Sequence, residues 1–167
     1  MAGVWAVAAV ALALTTACTP APGPQPSPSP TGFASEEEAF AAAEETYRAY
    51  VDAVNARRAD DSSEVDPLAY LTGRALIDQL ETDELFTSEG LRIVGPTNIV
   101  SINRVAAAAA TVDLTACLDA SASRVLNRAG DDVTPPERPD VLGLDVTLVG
   151  SPRSLLIAES STSEFPC

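Results

Sequence analysis

Three tyrosines and a few carboxylates are the side chains of this sequence best suited to proton chemistry. Tyr47, Tyr50 and Asp52 fall in one helical stretch, Tyr70 follows a polar loop, and Asp113 and Asp145 lie in later alternating segments. A carboxylate in an apolar pocket beside a phenol serves as a general base, because burial raises its pKa toward neutrality. The spacing speaks against this use. Tyr47 shares an apolar stripe with Phe40, Ala43, Val51 and Val54, which predicts a core tyrosine with a satisfied hydroxyl. Asp113 and Asp145 alternate opposite apolar neighbours and are expected at solvent or a sheet edge. Tyr47, Tyr50 and Tyr70 remain as candidate pocket residues, and no catalytic residue is assigned.

Two absences prune the chemistry further. The sequence has no His, and all ten basic residues are Arg, so it contains no Lys. A P-loop and a Schiff base both need Lys, whereas Ser-His-Asp and Cys-His nucleophiles and His-bearing zinc sites need His. Asp131-Asp132 after Gly130 supplies too few oxygen ligands for calcium and reads as a hairpin turn. No metal or cofactor is therefore expected. Val133 to Pro139 reads as a surface loop, with partner contact as the alternative.

Acidic residues outnumber basic ones by 24 to 10, a formal charge of -14, and no charged residue precedes Glu36. The imbalance therefore belongs to the body of the chain. Such a surface repels phosphate backbones and anionic headgroups, which excludes nucleic acid as a partner and adhesion to membranes through basic contacts.

The amino terminus carries an address. Val4 to Leu14 is an apolar run of signal-peptide length, shorter than the ~20 residues of a transmembrane helix. Leu14-Thr15-Thr16-Ala17-Cys18 resembles the lipobox of bacterial lipoproteins, in which the Cys receives diacylglycerol and becomes the new amino terminus. Thr15 stands where an aliphatic residue is usual, and no basic residue precedes the run, as if the true start lay upstream. An ordinary signal peptide cut near Ala17 and an uncleaved anchor are the other readings. Proline then recurs at every second position from Pro20 to Pro30. Alternating proline favours extended polyproline geometry, so residues 18–32 form a tether that reaches roughly 40 Å. The resemblance implies residues 1–17 as signal peptide and Cys18 as the lipidation site. Cys117 and Cys167 are then left as an even pair, expected to form a disulfide in an oxidising compartment. A reactive thiol, the alternative, lacks a Lys or His to lower its pKa.

Residues 33–167, about 135 in number, are the right size for one domain. Ser35-Glu36-Glu37-Glu38 is a capping box that opens a helix running to about Arg57. Asp66-Pro67 starts a short second helix. Thr72 starts a third through Leu76, Ile77, Leu80 and Phe86, ending at Gly90. The period then changes from helical to alternating. Thr111 to Asp119, Leu142 to Val149 and Leu155 to Ala158 read as strands, with a turn at Gly150-Ser151-Pro152. Helices first and strands afterwards predict an α+β fold, with the helices packed on one face of a curved, mainly antiparallel sheet.

That order, with Cys-Leu-Asp in the long strand and a terminal Cys, resembles the nuclear transport factor 2-like cone, and small actinobacterial lipoproteins of this plan look especially similar. The resemblance spans Ser35 to Cys167. It implies a pocket between helices and sheet, and some members of the superfamily are isomerases or hydrolases. Two roles are expected. The first is a lipid-anchored, non-catalytic module at the outer face of the cytoplasmic membrane, binding a protein or small molecule; a secreted chain is the variant of it. The second is a cofactor-free cone enzyme using Asp and Tyr. A homodimer through the open sheet face is compatible with both.

Overall fold

The computed structural model describes residues 32 to 165 and Cys167. The expected signal peptide, Cys18 and nearly all of the expected tether lie outside the described residues.

Helix α1 spans Glu36–Ala59. Ser35 caps it by accepting from the Glu38 amide at 3.1 Å, and Glu38 reaches back to the Ala34 amide, one residue before the cap. Three glutamates in the first turn and Arg57-Arg58 in the last complement the helix dipole. The expected second helix is a single 3-10 turn, Pro67–Tyr70, capped by Asp66. Proline sets its first residue, but four residues are too few to propagate a helix. Helix α2 spans Gly73–Glu89 and closes at Gly90, whose φ of 67° is the left-handed conformation that glycine adopts without strain.

Six strands follow: β1 (Arg92–Val94), β2 (Asn98–Ala107), β3 (Thr111–Asp119), β4 (Arg124–Leu126), β5 (Val141–Ser151) and β6 (Ser154–Thr162). Strands β2-β3-β5-β6 form one antiparallel sheet, and β1 pairs with β4 in a separate two-stranded ribbon. The β5–β6 connection turns at Pro152-Arg153, two residues later than expected, because Ser151 pairs with Ser154 and Gly150 remains in the strand. Beyond β6 the sheet edge is met by Leu71, which bridges Ile157, and by the Thr72 amide, which donates to the Ile157 carbonyl at 2.8 Å. The molecule is thus α+β, with two helices on one face of an antiparallel sheet.

The core lies between α1 and the sheet. Phe40, Ala43, Tyr47 and Val51 meet Val112, Leu114, Ala116 and Leu118 of β3, Val146 and Leu148 of β5, and Leu155 and Ile157 of β6. These residues are the in-facing set of each strand, as period-2 alternation requires. Arg104 fastens α1 to β2 from outside, bonding Glu37 and Glu44 at 2.8 Å each, with its guanidinium 5.5 Å from the Phe40 ring.

Helix α2 departs from expectation. Ala75 is its one buried residue, and Ile77, Leu80 and Leu85 are 48 to 57% exposed. The helix leaves the sheet edge after its first turns, so most of its apolar side chains have no layer to cover them.

On the outer face of the sheet, Asp113 accepts from Thr147 at 2.7 Å and Asp145 from Thr115 at 3.0 Å, as directly opposed cross-strand pairs. Cys117 lies on this face and is bonded to Cys167, with Cα atoms 5.7 Å apart. The Ser163 amide donates to Gly143 at 2.8 Å, so the chain end lies across β5. A side chain at Gly143 would crowd the Phe165 carbonyl, with Cβ only 3.0 Å away.

Candidate functional site

Helix α1 is about 36 Å long at 1.5 Å per residue, long enough to run past the sheet. Its stripe therefore splits. The first half buries Phe40 to Val51 against the strands, while Tyr50, Val54, Arg57 and Arg58 turn toward α2. Val54, expected in the core, is instead a half-buried wall of a cleft. From α2, Gln79, Thr82, Asp83 and Phe86 recur at helical spacing and face back across it. Leu68 of the 3-10 turn and Leu91 to Ile93 complete the walls, and the cleft holds about 530 Å³. Volumes of ~300–1,000 Å³ are usual for small-molecule sites.

The three candidate tyrosines are not brought together. Tyr47 and Tyr50 have ring centroids 6.2 Å apart and line a hollow of about 170 Å³ beside Ala75, Asp78 and Ile157. Tyr50, Gln79 and Thr82 also line the larger cleft, so the hollow is its inner end. Tyr70 borders a different groove, between α1 and the β5–β6 hairpin. Asp52 is exposed on α1.

Tyr47 is 1% exposed, as expected of a core tyrosine; its hydroxyl is not among the buried polar atoms left without a partner, and its ring borders the hollow. Burial pushes the Tyr47 phenol well above its usual range, with Tyr50 adding to the shift. Burial likewise raises Tyr50; Arg58 opposes this and Asp83 reinforces it. Asp78, the carboxylate of the hollow, is engaged by Arg74 at 2.7 Å.

Charge in the cleft is arranged unevenly. Among the described residues no carboxylate lies within ion-pair distance of Arg57, Arg58 or Arg92. Three carboxylates share the walls: Asp66 accepts from the Leu68 amide at 3.0 Å, Asp83 accepts from Gln79 at 2.8 Å, and Asp61 makes no side-chain bond among the described residues. Arg58 Nη1 donates to Thr97 Oγ1 at 2.8 Å. Burial lowers the Arg58 pKa, Tyr50 opposes that shift, and Arg138 adds to it. An arginine nevertheless stays charged at any physiological pH.

Behind Arg58 the floor is held by polar clamps that the sequence did not announce. Asn55 and Thr97 exchange two bonds, Nδ2 to the Thr97 carbonyl at 2.8 Å and the Thr97 amide to Oδ1 at 2.9 Å. Arg138 donates to Ser123 Oγ at 2.7 Å and to the carbonyls of Ala120 and Ser123 at 3.0 and 2.9 Å. Its Nε is buried without a partner among the described residues. The loop read as surface thus sends one arginine inward. The only sequence signal would have been a charged residue among three prolines.

Asp131-Asp132 form a hairpin turn. Asn127 Oδ1 accepts from the Ala129 and Asp131 amides, and Asp132 accepts from Thr134. Among the described residues no group of three or more metal-binding side chains converges.

No family model matches the chain, and no curated protein sequence matches it. A solved structure of similar fold is the intermembrane space region of the chloroplast protein ARC6, with a TM-score of 0.51 and 16% identity. The match covers 74% of this chain and 95% of that one. At that identity the likeness concerns the fold alone.

Proposed function

We propose that the chain is an exported lipoprotein, held through diacylglycerol on Cys18 at the outer face of the cytoplasmic membrane, whose domain is a nuclear transport factor 2-like cone acting as a non-catalytic binding module. The observation that carries the binding role is the α1–α2 cleft of about 530 Å³, walled by Val54, Leu68, Phe86 and Ile93 with polar groups at its rim. Export is supported by the Cys117–Cys167 bond, since disulfides persist in oxidising compartments. The enzyme alternative needs a free carboxylate and a hydroxyl converging in one cavity. In the inner hollow Asp78 is paired with Arg74, and the space of about 170 Å³ is below the usual range for a ligand site; in the larger cleft Asp83 shares the walls with Tyr50 and Thr82 but accepts from Gln79. Binding is therefore the better-supported role. A homodimer through the outer sheet face is the weaker arrangement, because it would oppose Asp113 and Asp145 of two copies.

Two experiments test this. Replacing Cys18 by Ser should move the chain from the membrane fraction to the soluble one and abolish labelling by a fatty-acid analogue; unchanged labelling would refute the anchor. The full chain in zwitterionic nanodiscs can be screened with small fragments by ligand-observed NMR, alongside Val54→Trp, which fills the cleft. Hits should disappear in the variant, and hits that survive it would place binding elsewhere.

A further inference from the structure

Arg58 is the most telling group in the cleft. Its guanidinium is half-buried, bonded through Nη1 to the neutral Thr97 hydroxyl, and without a carboxylate partner among the described residues. Its charged neighbour is a second arginine, Arg138, whose own Nε is buried and unpartnered among those residues. In a chain with 24 acidic residues against 10 basic ones, a half-buried Arg58 without a carboxylate at ion-pair distance is unexpected unless something else supplies the negative charge; Arg138, by contrast, has Asp132 acting on it. Arg57 and Arg92 border the same cleft, also without ion-pair partners.

Resting on the reading of the cleft as a ligand site, we propose that its ligand is a small organic acid, with a carboxylate or phosphate seated on Arg58 and an apolar body lying over Val54, Leu68 and Phe86. The planar guanidinium fork matches both oxyanions, and a partly desolvated arginine binds them more strongly than an exposed one does. The surrounding acidity does not forbid this. Charges farther off than the Debye length, about 8 Å at physiological ionic strength, are largely screened, so the groups of the walls decide the local field; there Asp61, Asp66 and Asp83 offset Arg57, Arg58 and Arg92 in number, and the seat depends on the half-buried Arg58 itself. The anionic body instead selects for small free acids over anionic bilayer surfaces, which meet many carboxylates at once.

The test uses the full chain in zwitterionic nanodiscs, with empty nanodiscs as the blank, titrated calorimetrically with 3-phenylpropionate, phenyl phosphate and neutral 3-phenylpropanamide. The acids should bind at least about tenfold more tightly than the amide, the size of one charge-assisted hydrogen bond. Arg58→Gln should erase that preference while leaving the weak amide binding in place. Because Arg58 also ties α1 to Thr97, the double variant Arg57→Gln, Arg92→Gln provides a second arm; it removes two exposed charges and should weaken the acids while lowering the melting temperature by no more than the few degrees that loss of Arg57 at the helix end entails. Acid and amide of equal affinity, both lost in Val54→Trp, would overturn the oxyanion seat but keep the cleft. Binding untouched by Val54→Trp would overturn both. If an Arg58-dependent signal arises only in nanodiscs doped with phosphatidylglycerol, the seat takes a lipid headgroup and the free-acid proposal fails.

Discussion

Removing the disulfide through Cys167→Ala is the sharpest test of what holds the domain together. Cys167 is exposed, whereas Cys117 is 5% exposed and is left in place as a small apolar thiol, so the variant opens no cavity. The bond closes a loop of 50 residues. On the chain-entropy account, a cross-link of that span withholds about 14 cal/mol/K from the unfolded chain, or about 4 kcal/mol at 25 °C. For a domain of this size that corresponds to a fall of about 12–20 °C in melting temperature. The unfolded variant is also less compact, so its urea m-value should rise. In the native state the effect should be local: the Ser163 amide, bonded to Gly143, should exchange with solvent much faster, while the β3–β5 amides keep their protection. Calorimetry, urea titration and hydrogen exchange on the oxidised chain and the variant measure all three. Melting midpoints within two or three degrees of each other, by the same estimate, would refute the entropic argument.

Three further outcomes follow from the hydrogen bonds and the ionisable groups. Asn55→Ala leaves the half-buried Thr97 amide and carbonyl without their side-chain partners, and should cost about 1–3 kcal/mol in urea denaturation with a loosened cleft floor; no loss would show that water replaces Asn55 freely. Tyr47 and Tyr50 have folded pKa values raised above the ordinary 10.0, so their contribution is complete below pH 10 and is lost as pH rises beyond it. Alkaline unfolding should coincide with tyrosinate absorbance, and Tyr47→Phe should blunt it; unfolding at unchanged pH in the variant would contradict this. Asp60, Asp119 and Asp132 are held below the ordinary 3.8, chiefly by hydroxyls of Ser62, Ser121 and Thr134, so their contribution is present above 3.8 and is lost as pH falls through the depressed values. Protonating the other carboxylates relieves repulsion in a chain of charge -14. Melting temperature should therefore hold or rise on acidification toward the carboxylate range and drop only below it; a steady fall from neutral pH would disprove the balance.

Much of the fold was legible because its signals are local. The Ser35 cap, the stripe through Phe40, Tyr47 and Val51, the left-handed Gly90, and the alternation from Thr111 to Asp119 each lie within one or two turns or one strand, where sterics and burial act on neighbours. The ribbon of β1 and β4 was less visible, since two three-residue strands carry no period. The 3-10 turn read as a helix because a proline and a cap specify a start but not a length.

The site was another matter. A helical stripe says which side of α1 is apolar, but not that the sheet ends beneath Val51 and leaves Val54 and Arg58 facing α2. Charge counting gave an acidic body, but not the arginines that escape pairing in the cleft, because pairing depends on which residues the fold brings together, as it does Arg58 and Thr97 across 39 positions. The sequence alone determined the chemistry the chain lacks, the helix starts and stops, and the in-facing residues of the strands. Only the tertiary structure decided where α2 leaves the sheet, how Asn55 grips Thr97, and which tyrosines share a wall. Patterning specifies which faces must be buried, whereas a cleft is the space left after all of them have been.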